Sequence, residues 1–210
     1  SSNRSIMGFS VTFAAVPLSE RDAFLGAAGV GVTDDADEDG QGLISAAEYG
    51  DHFLIWRNLR LASTFSEPDW QTLSEAAPIV VLDVVDTAGA QVLRGFESGK
   101  GPWEISFHDQ NDPLLAVKGA PPFDVEAKRQ QLRAEHLARY PEDAEEDDAD
   151  LIAGYGMAIP SKIFEDFTGL YYEDGPPTGL RSLSKDLPLI KLTWTGERKQ
   201  SSSKPWWKFW

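Results

Sequence analysis

The chain contains no cysteine. Disulfide scaffolds, thiolate zinc sites, thiol nucleophiles and cysteine redox chemistry are therefore excluded. Histidine is nearly as scarce, with only His52, His108 and His136. No Gly-x-Ser-x-Gly elbow nominates a nucleophile, and no His-x-x-x-His pair or phosphate loop is present. The glycine-rich stretch Gly26–Gly31 follows a predicted helix rather than a strand, so it lacks the context of a dinucleotide fingerprint. His108 beside Asp109 reads as a histidine and a turn-forming aspartate at a hairpin. Nothing in these patterns supports an enzyme.

Positive charge is also in short supply, with 19 Lys and Arg against 34 Asp and Glu and a net charge of −15. That balance argues against nucleic acid as a partner, because such binding rests on neutralising phosphates. No apolar run approaches the roughly 18 residues that cross a bilayer, so no transmembrane segment is expected. No basic-plus-apolar signal peptide opens the chain, and a cytoplasmic protein is expected.

What is present is a patterned α+β sequence. Gly8–Val16 alternates around Phe9, Val11 and Phe13 as a half-buried strand, and Pro17 stops it. Ser19 then caps a short helix that ends in glycine. Thr33–Gly42 reads as a polar loop, and His52–Arg57 as a strand. Ser66, Pro68 and Asp69 start a helix that runs to about Ala77. Ile79–Val85 and Gln91–Phe96 flank a hairpin at Asp86–Gly89, and Trp103–His108 and Leu114–Lys118 form a second pair. A long helix follows from about Pro122 to Tyr140, and a shorter one from Ile159 through Phe167. Leu187–Trp194 reads as a last strand. The expected fold is α+β, a mainly antiparallel sheet with three or four packed helices. One domain is expected over residues 7–195, with a basic aromatic tail over residues 196–210.

Three segments carry chemistry. Residues 37–48 resemble the EF-hand calcium loop, which feeds a hard cation from alternating oxygen ligands. Asp37 and Asp39 match its first carboxylates and Gly42 its sharp turn. Leu43 would offer its carbonyl, Ser45 would hold or replace a water, and Glu48 would close the site bidentately. Gln41 departs from the pattern, and the glycine-rich Gly29–Thr33 is a poor entering helix. Calcium is the one cofactor this loop suggests.

The second segment is the acidic run Glu142, Asp143, Glu145, Glu146, Asp147, Asp148 and Asp150. Like-charge blocks are commonly solvated loops, but clustered negative charge also steers a basic protein partner. The third is the tail, where Trp206, Trp207, Phe209 and Trp210 accompany Lys204 and Lys208. Such a patch needs somewhere to go. It could pack on its own sheet, pair with a second copy as a homodimer, or enter an anionic membrane surface. Self-docking or dimer exchange is preferred, since seven residues are too few for stable membrane residence unaided.

Gly8–Phe13, the segment Ile44–Glu48 leading into Phe53–Trp56, and Trp103–Asp109 together resemble an uncharacterised group of acidic bacterial α+β proteins. That likeness implies architecture more than activity. Small acidic bacterial proteins of this kind are similar to the immunity proteins of toxin systems, which act by binding. The resemblance implies a non-catalytic, protein-binding module that neutralises a basic toxin through its acidic face.

Overall fold

The first strand becomes the middle of the molecule. In the computed structural model, which describes residues 10–61, 67–85 and 88–190, β1 (Ser10–Pro17) is buried on both faces from Val11 to Val16. The alternation had predicted one buried face. The alanines Ala14 and Ala15 explain the difference, because small residues leave room for cover on each side of the strand.

Around β1 the chain builds β2 (Val32–Ala36), β3 (Ile44–Tyr49), β4 (His52–Asn58), β5 (Ile79–Val85), β6 (Ala90–Phe96), β7 (Trp103–His108), β8 (Leu115–Lys118) and β9 (Arg181–Leu183). They form one nine-stranded sheet in the order β2-β9-β3-β4-β1-β5-β6-β7-β8. Every pairing is antiparallel, so the α+β reading holds. The meander β5–β8 follows directly from its consecutive β-rich runs. The turn residues Asp86 and Thr87 lie outside the described residues, as do Ser66, residues 7–9 and residues 191–210.

Among the described residues five α-helices cover the sheet, one or two more than expected: α1 (Arg21–Ala28), α2 (Trp70–Leu73), α3 (Val125–Arg139), α4 (Asp148–Tyr155) and α5 (Ala158–Thr168). Asp69 caps α2 by accepting the Thr72 N–H at 3.1 Å, and Asp124 caps α3 through the Ala127 N–H at 2.9 Å. α3, α4 and α5 lie on one face over a first core built on Phe13, Leu54, Trp56, Leu82 and Leu93. α1 and α2 lie on the other, over Ala14, Phe53, Ile55 and Val81.

Three elements depart from the expected layout. β2 overlaps the predicted loop, β3 overlaps the calcium-like segment, and β9 forms ahead of the strand expected at Leu187–Trp194, of which residues 191–194 lie outside the described residues. The described part of that last segment pairs off the sheet: Leu189 bridges Pro68, and the Pro188 carbonyl accepts the Asp69 N–H at 2.8 Å. Among the described residues no helix is long and apolar enough to cross a membrane.

Candidate functional site

The acidic run is folded. Tyr140 ends α3, and Pro141–Glu145 forms a 3-10 turn that leads into α4. Asp147 caps α4, its Oδ1 accepting the N–H groups of Ala149 at 3.0 Å and Asp150 at 2.9 Å. Acids at that helix start also meet the positive end of its dipole. α4 is then held to the body by buried Leu151, Ile152 and Tyr155.

Besides Asp147, two more of the seven carboxylates are used internally. His136 Nε2 lies 2.7 Å from Asp143 Oδ2, with its ring against Tyr140 and Tyr155. Gly154 makes this fit possible, since a Cβ there would stand 2.6 Å from His136 Cε1. Asp148 takes the guanidinium of Arg129, with Arg133 at 3.6 Å. Glu142, Glu145, Glu146 and Asp150 are exposed and have no cationic partner among the described residues. The result is an acidic shoulder on a fixed turn and helix. Trp206, Trp207 and Trp210, the other expected partner contacts, lie outside the described residues.

The calcium-like loop has a different construction from an EF-hand. It connects two strands, and most of its expected ligands are already engaged. Asp37 accepts the N–H groups of Gln41 at 2.9 Å and Gly42 at 3.1 Å, and the Ser45 hydroxyl at 2.5 Å. The Leu43 carbonyl accepts the Asn58 N–H at 3.0 Å as part of the sheet. Gln41 donates its side-chain amide to the Asp39 carbonyl at 3.2 Å. Glu48 pairs with Arg21 instead of closing the loop.

The reason for that last displacement is periodicity. On a helix, residues three apart share a face; on a strand they do not. Ser45 stands opposite Trp56 on the first-core face, and Glu48 opposite Phe53 on the second. The structure therefore does not bring Asp37 and Glu48 together. Among the described residues no cluster of three or more His, Asp or Glu side chains is arranged to hold a metal ion. What fixes the loop is Gly40, whose φ of +60° and missing side chain admit the Trp56 indole; Trp56 Nε1 donates to the Gly40 carbonyl at 3.2 Å. Calcium titration is expected to leave the melting temperature unchanged. Asp37→Ala is expected to cost about 1.5–3 kcal/mol, the range for hydrogen bonds to a charged group. A calcium-induced rise in melting temperature that Asp37→Ala abolishes would reverse this reading.

A third cluster was not anticipated from the sequence. On the second-core face, Arg57, Thr12 and Asp83 stand opposite one another across β4, β1 and β5. Arg57, 1% exposed, donates to both oxygens of Asp186 at 3.1 and 3.0 Å. Thr12 donates to Asp83 at 2.5 Å, and Arg94 of β6 bridges Asp83 and Glu67. Burial pushes the Glu67 carboxyl above its usual range, against the pull of Arg94. The two sheet arginines thus pin segments 67–69 and 186–190, which also pair with each other. This is a structural clasp. The signal for it lay in single charges at inward positions of apolar runs, Asp83 within Ile79–Val85 above all.

The three histidines sit on separate elements. Burial lowers the affinity of His52 for a proton, and its ring packs on Phe167 at 4.7 Å. His108 Nδ1 accepts the Gln110 N–H at 3.1 Å, in keeping with turn chemistry. Beside the Asp37 loop a cleft of about 170 Å³ opens between Ser10, Asn58, Arg60 and Pro176. That is small against the roughly 300–1,000 Å³ of common ligand pockets. Comparison with known protein families, curated proteins and solved structures finds no match to this chain.

Proposed function

We propose that the protein is a non-catalytic binding module that docks a basic protein on the shoulder formed by Pro141–Glu145 and the start of α4. Neutralisation of a basic toxin, in the manner of immunity proteins, is the specific form of this reading. The observation that carries it is the set of exposed carboxylates Glu142, Glu145, Glu146 and Asp150, which have no cationic partner among the described residues and stand on the 3-10 turn and on the capped, core-anchored helix start that follows it. Held there, like charges keep their mutual repulsion in the free protein and relieve it on meeting a cationic surface. Their fixed spacing also avoids the ordering cost that a mobile acidic loop would incur on binding. Such complementarity acts mainly on encounter rate and partner choice.

The test is a quadruple variant, Glu142→Gln, Glu145→Gln, Glu146→Gln and Asp150→Asn. It spares Asp143, Asp147 and Asp148, which hold the turn together. A basic protein retained from source lysate at low salt, released at high salt and lost by the variant supports the proposal. Association with the purified partner should slow at least about tenfold in the variant, within the range of electrostatic steering. A partner held equally by both proteins at high salt would place the interface elsewhere.

A further inference from the structure

The sheet ends in β2 on one side and β8 on the other, and the two edges are built differently. β2 carries exposed acids and meets β9 in a broken register. β8 (Leu-Ala-Val-Lys) contains no acid, no proline and no bulge. Its register against β7 is continuous, and its one charge, Lys118, is held by Glu104 at 2.9 Å. Val117 is 47% exposed on it. The Leu114 carbonyl accepts the His108 N–H at 2.9 Å, so alternation turns the N–H and C=O groups of Leu115 and Val117 away from β7. Among the described residues nothing pairs with them.

This edge is complementary to itself. An antiparallel pairing of two copies centred on Ala116 sets Leu115 of each opposite Val117 of the other. Every outward N–H and C=O of the strand then finds a partner, in about four hydrogen bonds. The exposed Val117 side chain meets an apolar neighbour in the same step. Neighbouring registers do worse. Centring on Leu115 places Val117 opposite Pro113, which has no N–H to give. Centring on Val117 places Leu115 opposite Gly119, beyond the strand, and brings the two Lys118 side chains into adjacent rows. Charge agrees with the Ala116 register, because it sets the Lys118 end of one strand beside the turn that opens the other. Asp109 and Asp112 are exposed on that turn.

We infer that β8 pairs with β8 of a second copy about a twofold axis at Ala116, joining the two sheets into one. Four residues make a small contact, so the dimer is of the weak, reversible kind. Each chain carries −15, and salt should strengthen this association by screening the repulsion, the reverse of its effect on a basic partner. Sedimentation of the full chain at high salt should show a mass that rises above 23.1 kDa with concentration. Val117→Pro removes an outward N–H and spares those facing β7, so it should hold the mass at 23.1 kDa throughout. Val117→Lys repeats the test should the proline variant fold poorly. The absence of cysteine allows a second readout. Facing residues of a non-hydrogen-bonded pair have Cα atoms about 4.5 Å apart, within reach of a disulfide. Diamide, which takes up the two thiol hydrogens, should therefore link Ala116→Cys into dimers and leave Glu135→Cys, exposed on α3, as monomer. A constant mass of 23.1 kDa in the unmodified chain overturns the inference, as does equal linking from both sites. A dimer that survives both Val117 variants overturns it in favour of another face.

Discussion

Arg94→Met is expected to destabilise the protein by about 3–5 kcal/mol, the cost of breaking a buried ionic cluster from one side. Arg94 is 17% exposed and serves two carboxylates, Asp83 at 11% and Glu67 at 21%. Methionine matches the stem of arginine but leaves both acids without their cation. Thr12 still donates to Asp83, so Glu67 is left worse off. Adding Glu67→Gln to Arg94→Met should then recover part of the loss, because it removes one uncompensated charge.

Acidity gives the same argument a second reading. The Glu67 carboxyl is raised by burial, with Asp83 adding to the rise and Arg94 opposing it. A carboxyl raised in the folded state contributes stability below its unfolded value and loses it as pH rises through the folded one. Deleting Arg94 removes the opposing influence. The deficit of Arg94→Met should therefore be smaller near pH 4.5, the ordinary value for this group, than at neutral pH. Urea unfolding at both pH values measures this. An equal deficit at each would assign the loss to packing of the arginine stem.

The second large effect is expected at Phe13. This residue is 1% exposed and meets Trp56 edge-on at 4.9 Å and Phe164 at 6.0 Å. It therefore joins the central strand to β4 and to α5. Phe13→Ala should cost about 3–5 kcal/mol through lost burial and the cavity left behind. At about 2–4 °C per kcal/mol for a chain of this size, the melting temperature should fall by roughly 6–20 °C. A thermal melt followed by circular dichroism reads it directly. A loss below about 1 kcal/mol would mean that Trp56 and Phe164 close the space.

The parts of the fold legible in the sequence are those whose partners are local. β5–β8 are contiguous apolar runs joined by short turns, so their pairing could be read without knowing the rest. β2, β3 and β9 were illegible for a common reason. Val32–Ala36 has two acids in five residues, Ile44–Tyr49 carries small residues, and Arg181–Leu183 is three residues long. None has strong strand character alone; each becomes a strand because the others are beside it. The calcium-like loop was misleading for a related reason, since its match was to residue order while its geometry follows the strand that Ile44 begins. In the acidic run the charge was plain from composition. Which carboxylates remain available was not, because Arg129 and His136 reach Asp148 and Asp143 from 19 and seven residues upstream.

The place of β9 bears on how the chain is made. This strand enters between β2 and β3, and the Thr33 hydroxyl donates to the Ser182 carbonyl across 149 residues of sequence. At synthesis rates of about 5–20 residues per second, β2 and β3 emerge roughly 7–30 s before the strand that separates them. In that interval β3 is an open edge and β2 has nothing to pair with. Open edges recruit strands from other molecules, and charge on them is a common safeguard. Asp34 and Asp35 are exposed on β2 and add nothing to either core. Because β2 also stays at the edge of the finished sheet, exposed charge there makes it a poor template for a foreign strand both before Arg181 is made and afterwards.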